Sequence, residues 1–172
     1  MEKIKQIKQQ GFTLIELLIV IAVLAILATV AFVGIDPLSR FQDARNAKRS
    51  TDVNQILSAI KLYQVDHKGS LPDVFGQRFV GEGEFTMIGK AAGDCAITCA
   101  NPTFTTQGFC IDLTALVTGG YLPSVPIDSS GDWSDQKTGY YLENKTNKTF
   151  TIGTCQEEQG SAAATPDISA TR

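Results

Sequence analysis

From Phe12 to Val33 the chain reads FTLIELLIVIAVLAILATVAFV, 22 residues in which Thr13, Glu16 and Thr29 are the only polar members. Rising 1.5 Å per residue as a helix, this run reaches roughly 33 Å, about the hydrocarbon thickness of a bilayer. It can cross a membrane. Ahead of it stands MEKIKQIKQQ, where three lysines against one glutamate give +2 and leave −5 for the rest of a chain whose net charge is −3. A basic leader, an apolar run and an acidic body therefore follow one another. The acidic balance excludes the strongly basic face that a nucleic-acid binder needs, and 43% apolar residues exclude a disordered chain.

A basic leader before an apolar run has three readings: a secretory signal, a plain single-span anchor, or a specialised signal cut on the cytoplasmic side. Secretory cleavage needs a small-x-small site after the run, yet Ala22, Ala25, Ala28 and Ala31 recur every three residues and form no Ala-x-Ala. A lipoprotein needs a cysteine at that boundary, and the first one is Cys95. The plain anchor leaves Glu16 unexplained. An acid near the centre of a membrane helix costs about 2.5 to 3.5 kcal/mol, less near the interface, so Glu16 either snorkels to headgroup depth or meets a cation. Cutting the chain between Gly11 and Phe12 would create that cation, because the new α-amine is mostly charged at neutral pH. Phe12 and Glu16 lie one helical turn apart, so the amine can face Glu16 of its own or of an adjacent, axially offset copy.

The stretch Lys8-Gln9-Gln10-Gly11-Phe12-Thr13-Leu14-Ile15-Glu16 resembles the processing signature of type IV prepilins and of the pseudopilins of type II secretion. The resemblance implies cleavage after Gly11 by a prepilin peptidase, N-methylation of Phe12, and docking of each subunit onto the previous one through Glu16. It also implies an α+β, pilin-like fold, with a long N-terminal helix, half transmembrane and half amphipathic, packed on a small antiparallel sheet. The implied partners are copies of the chain and other pilins in a helical filament, the peptidase, the assembly platform of a pilus or secretion machine, and membrane lipid before assembly. A weaker likeness runs through Gly120-Tyr121-Leu122-Pro123-Ser124-Val125-Pro126-Ile127-Asp128, which is similar to the Leu-Pro, Pro-x-Asp loop of major pseudopilins. Pro37 departs from the pattern, since many pilins place the helix-breaking proline nearer the N-terminus.

On this reading residues 1–11 are the leader, 12–35 the transmembrane or filament-core helix, 36–68 its amphipathic half, and 69–172 an extracytoplasmic β-rich head with a mobile tail from about 157. Pro37 lacks an amide donor and disfavours helix at Asp36, which predicts a break at 34–37. Val53, Ile56, Leu57, Ile60 and Tyr63 then form one apolar stripe on a helix ending near His67 with Gly69 as its cap, and Arg45, Lys48, Arg49 and Asp52 fall largely off that stripe. Expected strands are 77–80, 84–88, 140–143 and 149–154, the last two a hairpin through Asn144-Lys145-Thr146-Asn147, with an edge strand at 168–171. Residues 112–117 read as a short helix capped by Asp112.

Cys95, Cys99, Cys110 and Cys155 all lie beyond the apolar run, where oxidation is permitted, and two disulfides are the default. Of three connectivities, the position of Cys155 at a strand end favours a staple from the C-terminal hairpin to the 95–110 region. A four-thiolate zinc site is the alternative. Asp128, Asp132 and Asp135, spaced by Ser129, Ser130 and Gly131, gather carboxylates as calcium loops do, although the spacing is not that of an EF-hand and an Asx-rich turn explains it equally. Major pseudopilins carry calcium in a comparable region, so the resemblance adds weight without assigning ligands. No other cofactor is expected. Two glycosylation-type triplets, Asn144-Lys145-Thr146 and Asn147-Lys148-Thr149, read as turn chemistry.

An enzyme is not expected. His67 is the sole histidine, placed at a helix end with no nucleophile pattern beside it, and Gly81-Glu82-Gly83 is too acidic to cradle phosphate. Expected instead is a structural subunit, pilin or pseudopilin, in the cytoplasmic membrane and then in a surface or periplasmic filament. The alternative is a membrane-anchored extracytoplasmic binding protein that never polymerises.

Overall fold

The computed structural model describes residues 11–72, 83–100, 102–145 and 149–171. The chain divides into two compact units, Met1–Pro37 and Leu38–Arg172.

The first unit is helix α1, Leu14–Ile35. Its residues are apolar on every side, so it has no single face to turn inward, and none of the side chains described in it is buried. It ends at Asp36, held in the left-handed region at φ 40° and ψ 75°. Helix α2 begins at once with Pro37 and runs to Asp66. The break therefore falls where Pro37 predicted it, because a proline at the first helical position gives up only an amide that would have no partner anyway. After α2 the chain turns out through Gly69, whose φ of 86° strains any other residue and whose amide reaches the Gln64 carbonyl at 2.7 Å.

The second unit is an α+β head. Strands β1 (Phe85–Ile88), β4 (Cys110–Ile111), β5 (Tyr140–Asn144), β6 (Phe150–Thr154) and β7 (Ser169–Thr171) form one sheet in the order β4-β1-β5-β6-β7, and β2 (Thr98–Cys99) pairs with β3 (Phe104–Thr105) as a separate hairpin. Every pairing in the large sheet is antiparallel except β1 with β4, so the expected small antiparallel sheet is present with one parallel pairing at an edge. The β5–β6 hairpin and the β7 edge strand stand where the alternating pattern puts them, while the strand expected at 77–80 lies outside the described residues. A short helix α3, Thr114–Thr118, has Leu113 and not the expected Asp112 at its N-cap; the Asp112 carboxylate, one residue further back, accepts the Thr114 amide at 2.8 Å.

Strand alternation sorts the core into two faces. Ile88, Tyr140, Leu142 and Ile152 join Val53, Ile56, Leu57 and Ile60 of α2 together with Leu113, Leu116 and Leu122. Met87 and Tyr141, their neighbours in sequence, belong to a second cluster with the four cysteines, against which Phe85, Phe104 and Trp133 pack. One cluster thus lies between sheet and α2, and the disulfide-linked segments fill the other.

Candidate functional site

The N-terminal signature sits in a simple local geometry. Gly11, Phe12 and Thr13 precede α1 in non-helical backbone, and Phe12 is 88% exposed. Thr13 is the N-cap: its hydroxyl accepts the Glu16 amide at 3.3 Å, while the Glu16 carboxylate accepts the Thr13 amide at 2.9 Å and the Thr13 hydroxyl at 2.7 Å. This reciprocal capping box satisfies helix donors that would otherwise have no partner. Its sequence signal is Thr-x-x-Glu before an apolar run. The carboxylate is thereby turned back toward the first turn of α1, the side on which a Phe12 amine would stand after cleavage at Gly11.

Residues 7–32 match the prokaryotic N-terminal methylation motif. That motif is the prepilin-type signature, and it supports a type IV pilin-like or pseudopilin-like precursor. No curated protein and no solved structure matches the chain. The motif lies over Phe12, Thr13, Glu16 and most of α1, and α1 is long and apolar enough to cross a membrane.

In the head, the cysteines pair as Cys95–Cys110 and Cys99–Cys155. The second bond ties the end of β6 to the β2–β3 hairpin, as the position of Cys155 suggested, and no described cysteine is left as a thiolate for zinc. The calcium trio does not converge. Among the described residues no group of three or more His, Cys, Asp or Glu side chains is placed to hold a metal. Asp128 is instead buried against Arg49, with Oδ2 2.7 Å from Nε and Oδ1 3.0 Å from an Nη. Asp135 pairs across the surface with Lys90 at 3.3 Å, and Asp132 is exposed. His67 lies flat on Tyr63, ring centroids 3.8 Å apart, at the exposed end of α2.

Arg49 is the main correction to the sequence reading. Placed off the apolar stripe by its charge, it is 1% exposed, and Asn46 and Asp52 are buried with it. Its position four residues before Val53 is in register with the stripe, and that spacing was the available signal. A bidentate bond to Asp128 and a 2.8 Å bond to Glu158 Oε2 satisfy the guanidinium, while Arg45 donates its Nε to the same Glu158 oxygen at 2.7 Å and an Nη to Oε1. The hydrogen bond from Arg45 holds the Glu158 carboxyl below its ordinary pKa, against the opposing effect of burial and with the help of Arg49. Tyr140 donates to Asp52 at 2.7 Å, and burial together with that partner pushes its phenol up.

The same network runs on into the expected tail, where residues 158–161 are tied to α2: Glu158 exchanges hydrogen bonds with Asn46, the Gly160 amide reaches Gln42 at 3.1 Å, and Ser161 bonds Asp43 through its amide at 2.9 Å and its hydroxyl at 2.6 Å. Gly160, at φ 60°, passes so close to Asp43 that a Cβ there would lie 2.1 Å from Oδ1. Beside this strap the Glu157 carboxylate accepts the buried Ile168 amide at 2.6 Å, and burial raises its pKa to about 7.

Proposed function

We propose that the chain is a prepilin cut between Gly11 and Phe12, methylated at the Phe12 amine, and polymerised into a type IV pilus or a type II secretion pseudopilus, with α1 at the filament centre. The observation that carries this reading is the methylation motif lying over a helix whose described side chains have no cover within their own chain. Lipid covers them before assembly and neighbouring copies cover them afterwards. Two disulfides in the head fit a head outside the cytoplasm, where thiols oxidise. Glu16 acts in docking: a carboxylate and an amine buried together are satisfied at few axial offsets, so the pair sets register where apolar packing alone does not.

The capping box favours the second reading, a single-span anchor that never polymerises, because Glu16 is already satisfied by Thr13. Intact-mass analysis of membrane-fraction protein separates the two. Loss of residues 1–11 with gain of one methyl group is expected, and an uncut Met1 terminus in cells with an active prepilin peptidase removes the filament reading.

A further inference from the structure

We infer that the 158–167 loop is a clasp, and that lifting it lets the first turns of α2 open from the head while the rest of the helix stays in place. Along α2 the buried residues divide by chemistry: Ser39, Asn46, Arg49 and Asp52 come first, and the apolar ones, Val53, Ile56, Leu57, Ala59 and Ile60, all follow. Before Arg49 the helix buries no apolar side chain. What covers these turns is the loop. Gln42, Asp43, Arg45 and Asn46 are each buried or half-buried, and each bonds to residues 158–161. Bonds of this kind differ from apolar packing in what opening costs. Water replaces each of them at a small net loss, and no apolar core is exposed in the exchange.

The loop is built to lift as a piece. Both of its ends are fixed to the sheet: Cys155 is bonded to Cys99, the Glu157 carboxylate accepts the Ile168 amide at 2.6 Å, and β7 pairs with β6. Residues 162–165, beyond the fastened stretch, are exposed. Ends held together beneath a compact surface excursion are the construction of an Ω-loop. Opening of α2 stops at Arg49, whose guanidinium is held by Asp128 as well as by Glu158, because freeing it would leave Asp128 buried without its cation. From Val53 onward the apolar core holds the helix. Gly160 sets the closed position, since its φ of 60° and its approach to Asp43 leave no room for a β-carbon. Helix α2 continues from α1 through Asp36 and Pro37, so a pull on the chain from its membrane-seeking end reaches the head first at these turns. The clasp works alike in an anchored and in a polymerised chain.

The test is hydrogen–deuterium exchange read by mass spectrometry on the detergent-solubilised full chain and three variants. Gly160→Ala removes no bonding group, and it should speed exchange of amides 42–48 about tenfold, the effect of a β-carbon forced into the left-handed region. Ser161→Ala, which leaves the backbone undisturbed, should give a smaller rise at the same amides by removing the hydroxyl bond to Asp43. Ile56→Val thins the core under the second half of α2 and should speed amides 53–62 about fivefold. It should leave 42–48 unchanged, because the state with the clasp open keeps that core intact. Unchanged exchange at 42–48 in Gly160→Ala, or in Ser161→Ala should the first fail to fold, overturns the clasp. Equal acceleration of 42–48 and 53–62 by Ile56→Val would show α2 opening as one unit and overturn the independent opening.

Discussion

Helices α1 and α2 are consecutive in the chain, 22 and 30 residues long, and they meet their surroundings in opposite ways. In α1 leucine, isoleucine, valine and alanine occupy every side, and no described side chain is covered. In α2 the apolar residues are fewer, yet nine residues are buried, and Ser39, Asn46, Arg49 and Asp52 are among them. Because α2 carries polar groups on its inner face, the head can satisfy them with Asp128, Tyr140 and Glu158 and fold around the helix. Beyond Glu16, whose partner is Thr13, and Thr29, α1 presents apolar side chains that polar partners cannot satisfy, and on the proposed reading lipid or other copies cover them. Folding of the head is thereby assigned to α2 and, on the proposed reading, assembly to α1.

The contrast breaks first at the staple behind the strap. Cys99→Ser with Cys155→Ser removes a cross-link closing 56 residues, and the chain-entropy model puts the loss at about 4 kcal/mol. Chemical denaturation of the detergent-solubilised chain should show it as a lowered midpoint of head unfolding, with the helicity of α1 retained. Next comes Arg49→Met, expected to cost at least about 3 kcal/mol because Asp128 is left buried without its partner, whereas Glu158 keeps Arg45. Adding Asp128→Leu should recover part of that loss; a double variant no more stable than Arg49→Met would mean that packing, and not the unpaired charge, carries the cost.

Glu157 sharpens the comparison through pH. Its raised pKa means that the folded head binds this proton more tightly than the unfolded chain does, so stability falls as pH climbs from about 4 to about 7 and is flat above that. The contribution is about 3 kcal/mol across the window, and Glu157→Gln should remove the slope from a pH series of unfolding midpoints. Glu158 acts with the opposite sign: its lowered pKa gives stability that is present above its unfolded value and lost as pH falls through the folded one. The smallest effect on folding belongs to α1. Glu16→Gln should leave the head's unfolding midpoint and the membrane content unchanged while lowering the yield of sheared filaments. Equal filament yield at equal membrane content would remove the docking role, and a shifted midpoint would join α1 to the head's folding.

Local physics wrote much of the molecule into the sequence. The apolar run, the break forced by Pro37, the short helix after Asp112, the period-2 pattern of β5 and β6 and the prepilin-type signature each rest on residues within a few positions of one another, so spacing alone determines them. The Thr13–Glu16 capping box was equally local and equally readable. Contacts between residues far apart in the chain were decided otherwise. That Arg49 turns inward depends on Asp128, 79 positions away, and on Glu158, 109 positions away, each supplying an oxygen at the right place. The parallel β1–β4 edge, the choice among three disulfide connectivities and the fastening of 158–161 to α2 have the same origin. The sequence determined by itself which segments are helix, strand or membrane-seeking, because those depend on near neighbours. Which charges are buried, and which carboxylates are spent on arginine instead of being left for a metal, only the tertiary structure decided, because a buried ion is tolerable only where distant segments converge to satisfy it.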